Sequence, residues 1–431
     1  MKLWQKGHSL NKTIETFTVG KDRELDLFLA KYDIIGSLAH IRMLESIGLL
    51  TKDELSELEI ELNILLRKAE NGTFEIEEGI EDIHSQVELE LTRKLGDIGK
   101  KIHSGRSRND QVLVDLRLFF RDEIQCVTKE MKELFDVLIE KSEENKEILM
   151  PGYTHLQVAM VSSFGLWLGG YAETLTDDLR FLKSVYDITN QNPLGSAAGY
   201  GNSFPLNRKM TTELLGFDDL NYNVIHAQLG RGKTELFLSF ALAGIGNTLS
   251  KLATDVCLFC NQNYDFIKFP DELTTGSSIM PHKKNPDVFE LIRAKANKLQ
   301  ALPAEISMIT NSLPSGYHRD FQLIKEAIFP AIEEVKNCLK IMAYSLQFTE
   351  VRKDILKEEK YKYIFSVEAV NQKVLEGMPF RDAYKSVAND IENGDFKIPK
   401  TLTHTHEGSI GNLCNDKIQE KWDSIWDRFM K

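Results

Sequence analysis

Thr275 to Asp287 reads Thr-Gly-Ser-Ser-Ile-Met-Pro-His-Lys-Lys-Asn-Pro-Asp. Glycine and two prolines bracket small hydroxyls, lysines and an amide, which predicts a mobile loop rich in hydrogen-bond donors. A loop that closes over a substrate needs a flexible start, inward polar groups and an anchor at its far end. Helical spacing resumes at Val288, so a helix is expected to follow, and the amides and lysine favour a bound anion. A plain surface loop accounts for the Gly and Pro content alone. It accounts less well for the ordered series Ser-Ser-x-Met-Pro-x-Lys-x-Asn.

Two further segments carry chemistry. His103-Ser-Gly-Arg-Ser-Arg-Asn-Asp-Gln111 places two arginines, two serines and an asparagine at an expected helix start, a cradle for a carboxylate. Arg106 and Arg108 cannot both point the same way on a helix, so one of them is open to a structural role. A surface salt-bridge cluster is the plainer alternative. Pro151-Gly-Tyr-Thr-His-Leu-Gln157 puts an imidazole at the expected mouth of an apolar helix. Burial lowers a histidine pKa and a carboxylate partner restores it, so a His–Glu pair is a tunable proton relay. Glu290, just beyond the loop, is a candidate partner for His155; a satisfied core histidine is the alternative.

Other residue patterns point away from metal or redox chemistry. Cys257 and Cys260 have C-x-x-C spacing, but they lie in the apolar stretch Val256-Cys-Leu-Phe-Cys260 with no second pair, and read as packing. His404-x-His406 suits a strand rather than one helix face, and no metal is expected. His84, in helical spacing after Glu81-Asp82, is expected to order its own domain.

The elements that position these residues read as helices. Leu55, Leu58, Leu62, Leu65 and Leu66 share a stripe after Thr51-Lys-Asp-Glu54, a capping-box pattern, and Asn71-Gly72 reads as that helix's stop. Long patterns over Asp110–Glu144 and Gly232–Gln262 suit a bundle whose helices run the height of a molecule. Strand signals are scarce, and all-α is the expectation. From Thr73 to Thr92 there are seven acidic residues and no Lys or Arg, whereas Arg93 to Arg108 holds six basic residues and one acidic. This shift, a loop-like Gly99–Gly105 and a charge-rich tail after Thr349 predict three domains: a helical N-terminal domain over 1–105, a long-helix bundle over 106–351, and a small helical domain over 352–431.

With 42% apolar residues in 431, a disordered chain is excluded. A net charge of −12 argues against a general nucleic-acid binder. The start, Met1-Lys-Leu-Trp-Gln-Lys-Gly-His8, has no apolar leader. The uncharged run between Glu147 and Glu173 is long enough to cross a bilayer, yet Pro151-Gly152 and five polar residues interrupt it. A soluble, cytoplasmic protein is the expectation.

Together these segments resemble the argininosuccinate lyases of the fumarase/aspartase superfamily. Gly276-Ser-Ser-Ile-Met-Pro-His-Lys-Lys-Asn285 matches the superfamily pattern G-S-S-x-M-P-x-K-x-N. Asp33-Ile-Ile-Gly-Ser-Leu-Ala-His40, Glu81-Asp-Ile-His84, Ser104-Gly-Arg-Ser-Arg-Asn-Asp-Gln111, Gly152-Tyr-Thr-His-Leu-Gln157 and Pro193-Leu-Gly-Ser196 look like the argininosuccinate branch. The resemblance runs from about Asp22 to the C-terminus. It implies an all-helical, three-domain subunit of the L-aspartase/fumarase type, with a long central bundle forming a homotetramer core and active sites shared between subunits. The implied reaction is reversible elimination of arginine from argininosuccinate, leaving fumarate, the last step of arginine biosynthesis, without metal or organic cofactor.

By the same resemblance Ser277 is the base that removes the Cβ proton. Lys283 and Asn285 hold the reacting carboxylate, and Thr154 and His155 follow, with Glu290 orienting His155. Ser107, Arg108 and Asn109 match contacts at the fumarate end, and Tyr317, Gln322 and Lys325 match the arginine end. Asp26 matches an acidic N-terminal position. The chain departs from the family pattern at Val158–Phe164, at Gln228-Leu-Gly-Arg-Gly-Lys-Thr234, and at Asp22, where the family has a serine. A sister lyase releasing fumarate from another succinyl-amine, and a non-catalytic tetramer that keeps the fold, are the competing readings.

Overall fold

The computed structural model describes residues 12–400, 402 and 404–429, so the leader reading over Met1–His8 lies outside the described residues. Helices dominate. The principal ones are Ala30–Ser46, Lys52–Glu70, Ile83–Leu95, Arg108–Glu144, Phe164–Thr189, Lys233–Phe259, Asp287–Leu299 and Gln322–Leu346. Strands occur as three short pairs: an antiparallel hairpin of β1 (Leu149–Thr154) and β2 (Gln157–Ser163), a parallel two-residue pair at 191–192 and 219–220, and an antiparallel pair at 267–268 and 350–351. The helical expectation holds.

Local sequence explains the elements. Thr51 Oγ1 accepts from the Glu54 amide at 3.2 Å while the Thr51 amide donates to the Glu54 carboxylate at 2.9 Å, closing the expected capping box. That helix stops at Asn71 and buries Leu58, Leu62 and Leu65. The Gly99–Gly105 stretch, expected as loop, instead runs through a helical turn at Asp97–Lys100 and a 3-10 turn at Lys101–His103. A Cβ at Gly99 would lie 2.4 Å from the Leu91 backbone, so glycine is what lets this turn pack against the preceding helix.

The chain divides into two compact units. The first takes in the described residues up to Val127, with Phe181–Ala243 and Ala301–Glu333. Its main apolar cluster includes Ile34, Ile41, Leu44, Leu58, Leu62, Ile83 and Leu91, with Leu206 and Met210 packed against it from farther along the chain. Phe119 and Phe329, with ring centroids 4.5 Å apart, pack the start of the 108–144 helix against the start of the 322–346 helix. The second unit comprises Thr128–Arg180, Gly244–Gln300 and the described residues from Glu334 onward. Trp422 stacks on Phe135 at 4.2 Å there, and Val370, Ala383, Val387 and Phe396 form a satellite cluster in the C-terminal stretch.

One helix, Lys233–Phe259, is long and apolar enough to cross a membrane by length and composition, and 61% of its apolar window is buried within the protein. A core helix of a helical bundle has this character.

Candidate active site

The first unit contains a cavity of about 220 Å³ with an ionic lining. Of the expected residues, Asp26, Arg108, Asn109, Tyr317, Gln322 and Lys325 line it. Lys325, only 4% exposed, donates to Asp26 Oδ1 at 2.6 Å and lies 2.7 Å from Asp22 Oδ1. Burial pushes the ammonium toward neutrality, but Asp26 and Asp22 prevail and hold its pKa above the ordinary value. Two carboxylates on one ammonium leave an excess negative charge. Burial, only partly offset by Lys325, raises the Asp22 pKa to about 6, with Asp26 adding to the rise.

The 108–144 helix starts at this cavity. Its N-cap is Ser107, whose Oγ accepts from the Asn109 amide at 3.3 Å, while the Ser107 amide donates to Asp110 Oδ1 at 2.8 Å. Asp110 Oδ2 in turn accepts from the amides of Gly195 and Ala197, each at 2.9 Å, tying the Pro193–Ser196 turn to the helix start. Burial lifts Asp110 to about 6 against these donors. Ser107 therefore orders the helix start, and Arg108 and Asn109 face the cavity.

The two arginines separate, but not by their faces on one helix: the helix begins at Arg108, and Arg106 precedes it. Arg106 donates to Ser37 Oγ at 3.0 Å and is structural. Arg108 donates to Asp82 Oδ2 at 2.9 Å, and its buried Nη2 has no hydrogen-bond partner among the described residues. Burial works against the Asp82 charge, but His84, Arg108 and the Ser85 donors hold its pKa below the usual value. His84 meets Asp33 at 2.6 Å and Asp115 at 3.7 Å. Burial would neutralise the imidazole, yet Asp33 and then Asp115 and Asp82 raise its pKa to about 9, so it orders its own region as an imidazolium. Among the described residues, Asp33, His84 and Asp115 also bring one ligand atom each within 4.8 Å of one another, but the short His84–Asp33 bond makes this an ion pair.

Four charged lining residues were not picked out individually from the sequence: Glu81, Asp82, Arg231 and Arg319. Arg319 donates to Glu81 at 2.7 Å, and Arg231 pairs with Glu235 at 3.0 Å. Each sits inside a segment already singled out, so the signal was the segment and not the residue. Gln322 donates to the Val19 carbonyl at 2.8 Å, using its amide to hold the chain around Gly20.

The remaining expected residues lie in the second unit. Thr275 and Asn285 face each other in an antiparallel bridge of 3.1 and 2.8 Å, pinching the ends of the loop together. Within it, Ser277 Oγ accepts from the amides of Met280 at 3.2 Å and Ile279 at 3.4 Å. Lys283 is exposed, and its ammonium has no partner among the described residues. The loop leads into the Asp287–Leu299 helix as expected. Glu290, on that helix, sits 3.8 Å from Arg293; among the described residues no hydrogen bond or ion pair joins it to His155.

The helix mouth expected around His155 is corrected. Thr154 ends β1, Gln157 opens β2, and His155-Leu156 is the two-residue turn between them, with φ of +53° and +58°. A tight hairpin turn whose twist matches its strands needs φ above zero at both central residues, which normally selects Asn and Gly. Here an exposed histidine and a leucine hold that conformation, a strained tip of the kind that clusters at functional sites. The helix begins only at Phe164. The C-x-x-C pair is half-buried: Cys257 is pushed above its usual pKa, mainly by burial, and Cys260 to about 12 by the same cause, so neither offers a thiolate. His404 meets Ser409 at 2.6 Å and Glu368 at 3.1 Å.

Comparison with known proteins bears on both sets of residues. Residues 11–301 match a family model described as lyase. The argininosuccinate lyase of Bacteroides fragilis is 64% identical over 417 residues, covering 97% of this chain and 93% of the relative. That of Thermotoga neapolitana is 41% identical over 90% of this chain and 97% of the relative. Among solved structures, EDDS lyase in complex with formate superposes with a TM-score of 0.78 at 22% identity, covering 99% of this chain and 91% of that one. The class II fumarase of Schistosoma mansoni does so with 0.74 at 15%, covering 100% and 95%. These two likenesses are of fold.

Proposed function

The chain belongs to the argininosuccinate lyases, carbon–nitrogen lyases of the fumarase/aspartase superfamily that serve arginine biosynthesis, and from that premise we propose how its own residues carry the elimination. Ser277 takes the proton from the succinyl Cβ. The electron pair moves into the adjacent carboxylate as an aci-carboxylate. The Cα–N bond then breaks, its electrons leave with the guanidinium nitrogen, that nitrogen gains a proton, and fumarate and arginine result.

A serine hydroxyl is a weak base, so the step needs a stabilised alkoxide and a stabilised dianion. The observation that carries the reading is the Ser277 oxygen facing two loop amides, which supply partial positive charge where the alkoxide forms. Lys283 and Asn285 hold the reacting carboxylate, with Thr154 beside them. His155, oriented by Glu290, handles the second proton. Ser107 orders the helix start that presents Arg108 and Asn109 to the fumarate end. Tyr317, Gln322 and Lys325, with Asp26, receive the amino-acid end of the arginine portion. No metal or organic cofactor enters these steps.

Each group is chemically incomplete by itself. The first-unit cavity has cations and carboxylates but no lid serine; the loop has the serine and an unpaired lysine but no walls. We therefore read the active protein as a cytoplasmic homotetramer in which copies share sites, each subunit having the three-domain order 1–105, 106–351 and 352–431. Mixing the protein with argininosuccinate and following fumarate absorbance tests the reaction. Fumarate release is expected; silence with argininosuccinate and release from adenylosuccinate or aspartate would assign the chain to a sister lyase.

A further inference from the structure

Beside the hairpin, the second unit contains a larger cavity of about 400 Å³, of whose lining the mechanism above uses only His155. Tyr153, Trp167, Phe259 and Tyr264 line it with aromatic rings, Asp255 adds a carboxylate, and His155 stands at its edge. The rings are mutually braced. Trp167 and Phe259 meet edge to face at 5.0 Å, and Tyr153 and Tyr264 do so at 5.3 Å. Edge-to-face pairs of this kind hold the rings in place around the cavity.

Asp255 is the unusual member. Both of its hydrogen bonds fall on one oxygen, Oδ2, from Trp167 Nε1 at 3.0 Å and the Tyr171 hydroxyl at 2.7 Å. Both donors are neutral, and burial with the adjoining carboxylate pushes the Tyr171 phenol further up, so it stays a donor. No lysine or arginine among the described residues pairs with Asp255, and Oδ1 makes no hydrogen bond. This half-buried carboxylate is held by neutral donors and has no cationic side chain beside it among the described residues. Several aromatic rings line the same cavity. A carboxylate and an aromatic ring each attract a cation.

We propose that this cavity is a second ligand site and that its ligand is a guanidinium cation. A planar guanidinium stacks on an aromatic face and donates in plane to a carboxylate, here to Asp255 Oδ1. A compact ammonium is more strongly hydrated and cannot stack, so it loses more on entering this site. His155 and Tyr153 belong to the strained hairpin that borders the cavity, so an occupant presses on the segment that carries the catalytic imidazole. Free arginine carries the required group. Arginine bound here would slow turnover without competing for the first-unit cavity; this consequence, though not the binding itself, rests on the reaction proposed above.

The test is a titration of the intact protein with methylguanidinium, read by tryptophan emission and by calorimetry. Saturable binding is expected, weakened about tenfold in Asp255→Asn, which keeps an oxygen for Trp167 and Tyr171 but removes the charge. Trp167→Phe keeps a ring and removes the indole; a several-fold weakening is expected there, and this arm stands even if Asp255→Asn folds poorly. Tetramethylammonium, which cannot donate a hydrogen bond, should fail to saturate. Equal binding by wild type and both variants, equal binding of tetramethylammonium, or no saturation would each overturn the assignment. Arginine titrated against Lys325→Met, whose first-unit cavity is impaired, should still quench the emission. Loss of that response would mean that arginine is read only in the first-unit cavity.

Discussion

The ionic cavity of the first unit and the loop and hairpin of the second hold their charged groups in opposite ways. In the cavity every cation already has a carboxylate: Lys325 has Asp22 and Asp26, Arg108 has Asp82, and Arg319 has Glu81. In the loop, among the described residues, Lys283 is exposed and without a partner, and Ser277 is held by amides of its own loop. The difference separates two physical tasks. Recognition of a zwitterionic substrate end needs charges fixed in place before the ligand arrives, so that little ordering is left to do on binding. Proton removal needs groups that become strongly interacting only when water is excluded, and these stay free until the loop closes.

If that contrast is right, mutating the two regions should damage different quantities. Ser277→Ala should lower kcat by about a thousandfold or more, with KM and the unfolding midpoint nearly unchanged, because the half-buried hydroxyl that is removed accepts from two amides of its own loop and ties no other segment down. Wild-type-like turnover would rule Ser277 out as the base. Lys325→Met should instead destabilise the fold by about 3–5 kcal/mol, by leaving Asp22 and Asp26 buried together, and should raise KM steeply. An unchanged denaturation midpoint would mean that the cavity charges are not preorganised. Co-refolding the two inactive variants sharpens the contrast further. If copies share sites, mixed tetramers regain partial fumarate release, and complete failure to recover activity speaks against sharing.

The sequence disclosed these regions unequally. The helices at 108–144 and 233–259 were legible because apolar spacing is a local signal, and the Thr51 cap because its partner is three residues away. The His84–Asp33 pair spans 51 residues and the Lys325–Asp26 pair 299, and no periodicity reports contacts at such separations. The motif residues for both regions were named from resemblance, yet Arg231 and Arg319 were passed over because only burial identifies them as lining. The hairpin was missed for a sharper reason. Its turn is His155-Leu156, not the Asn-Gly that positive φ favours, and Pro151-Gly152 obscures the alternation of β1. Strain at a functional tip erases the local signal that would announce it.

The buried charges of the first unit also predict a pH response that the loop should lack. The folded pKa of His84, about 9, lies above the ordinary imidazole value of 6.5. Its stabilisation is therefore complete below pH 6.5 and lost as pH rises through 9. The unfolding midpoint should fall across that window, and His84→Gln should flatten the slope. Asp22 and Asp110, raised to about 6 from 3.8, act with the same sign at lower pH: their protonated forms stabilise the fold below 3.8, and this is lost as pH rises through 6. Ser277→Ala should leave the whole profile unmoved. A slope that survives His84→Gln would assign the effect to other groups.

The smallest effect expected is at the hairpin tip. Leu156 is 74% exposed at a φ of +58°, a conformation costly for leucine and tolerated by asparagine. In a denaturant titration of the isolated subunit, Leu156→Asn should therefore gain about 0.5–1 kcal/mol, while in the assembled protein His155 keeps its place and turnover persists. A loss of stability instead would show that the leucine makes contacts outweighing its strain. For a side chain this exposed within one chain, those contacts would have to come from another copy. The tip would then be ordered on assembly rather than in advance, and the contrast between a preformed cavity and a free catalytic segment would apply to the unassembled subunit alone.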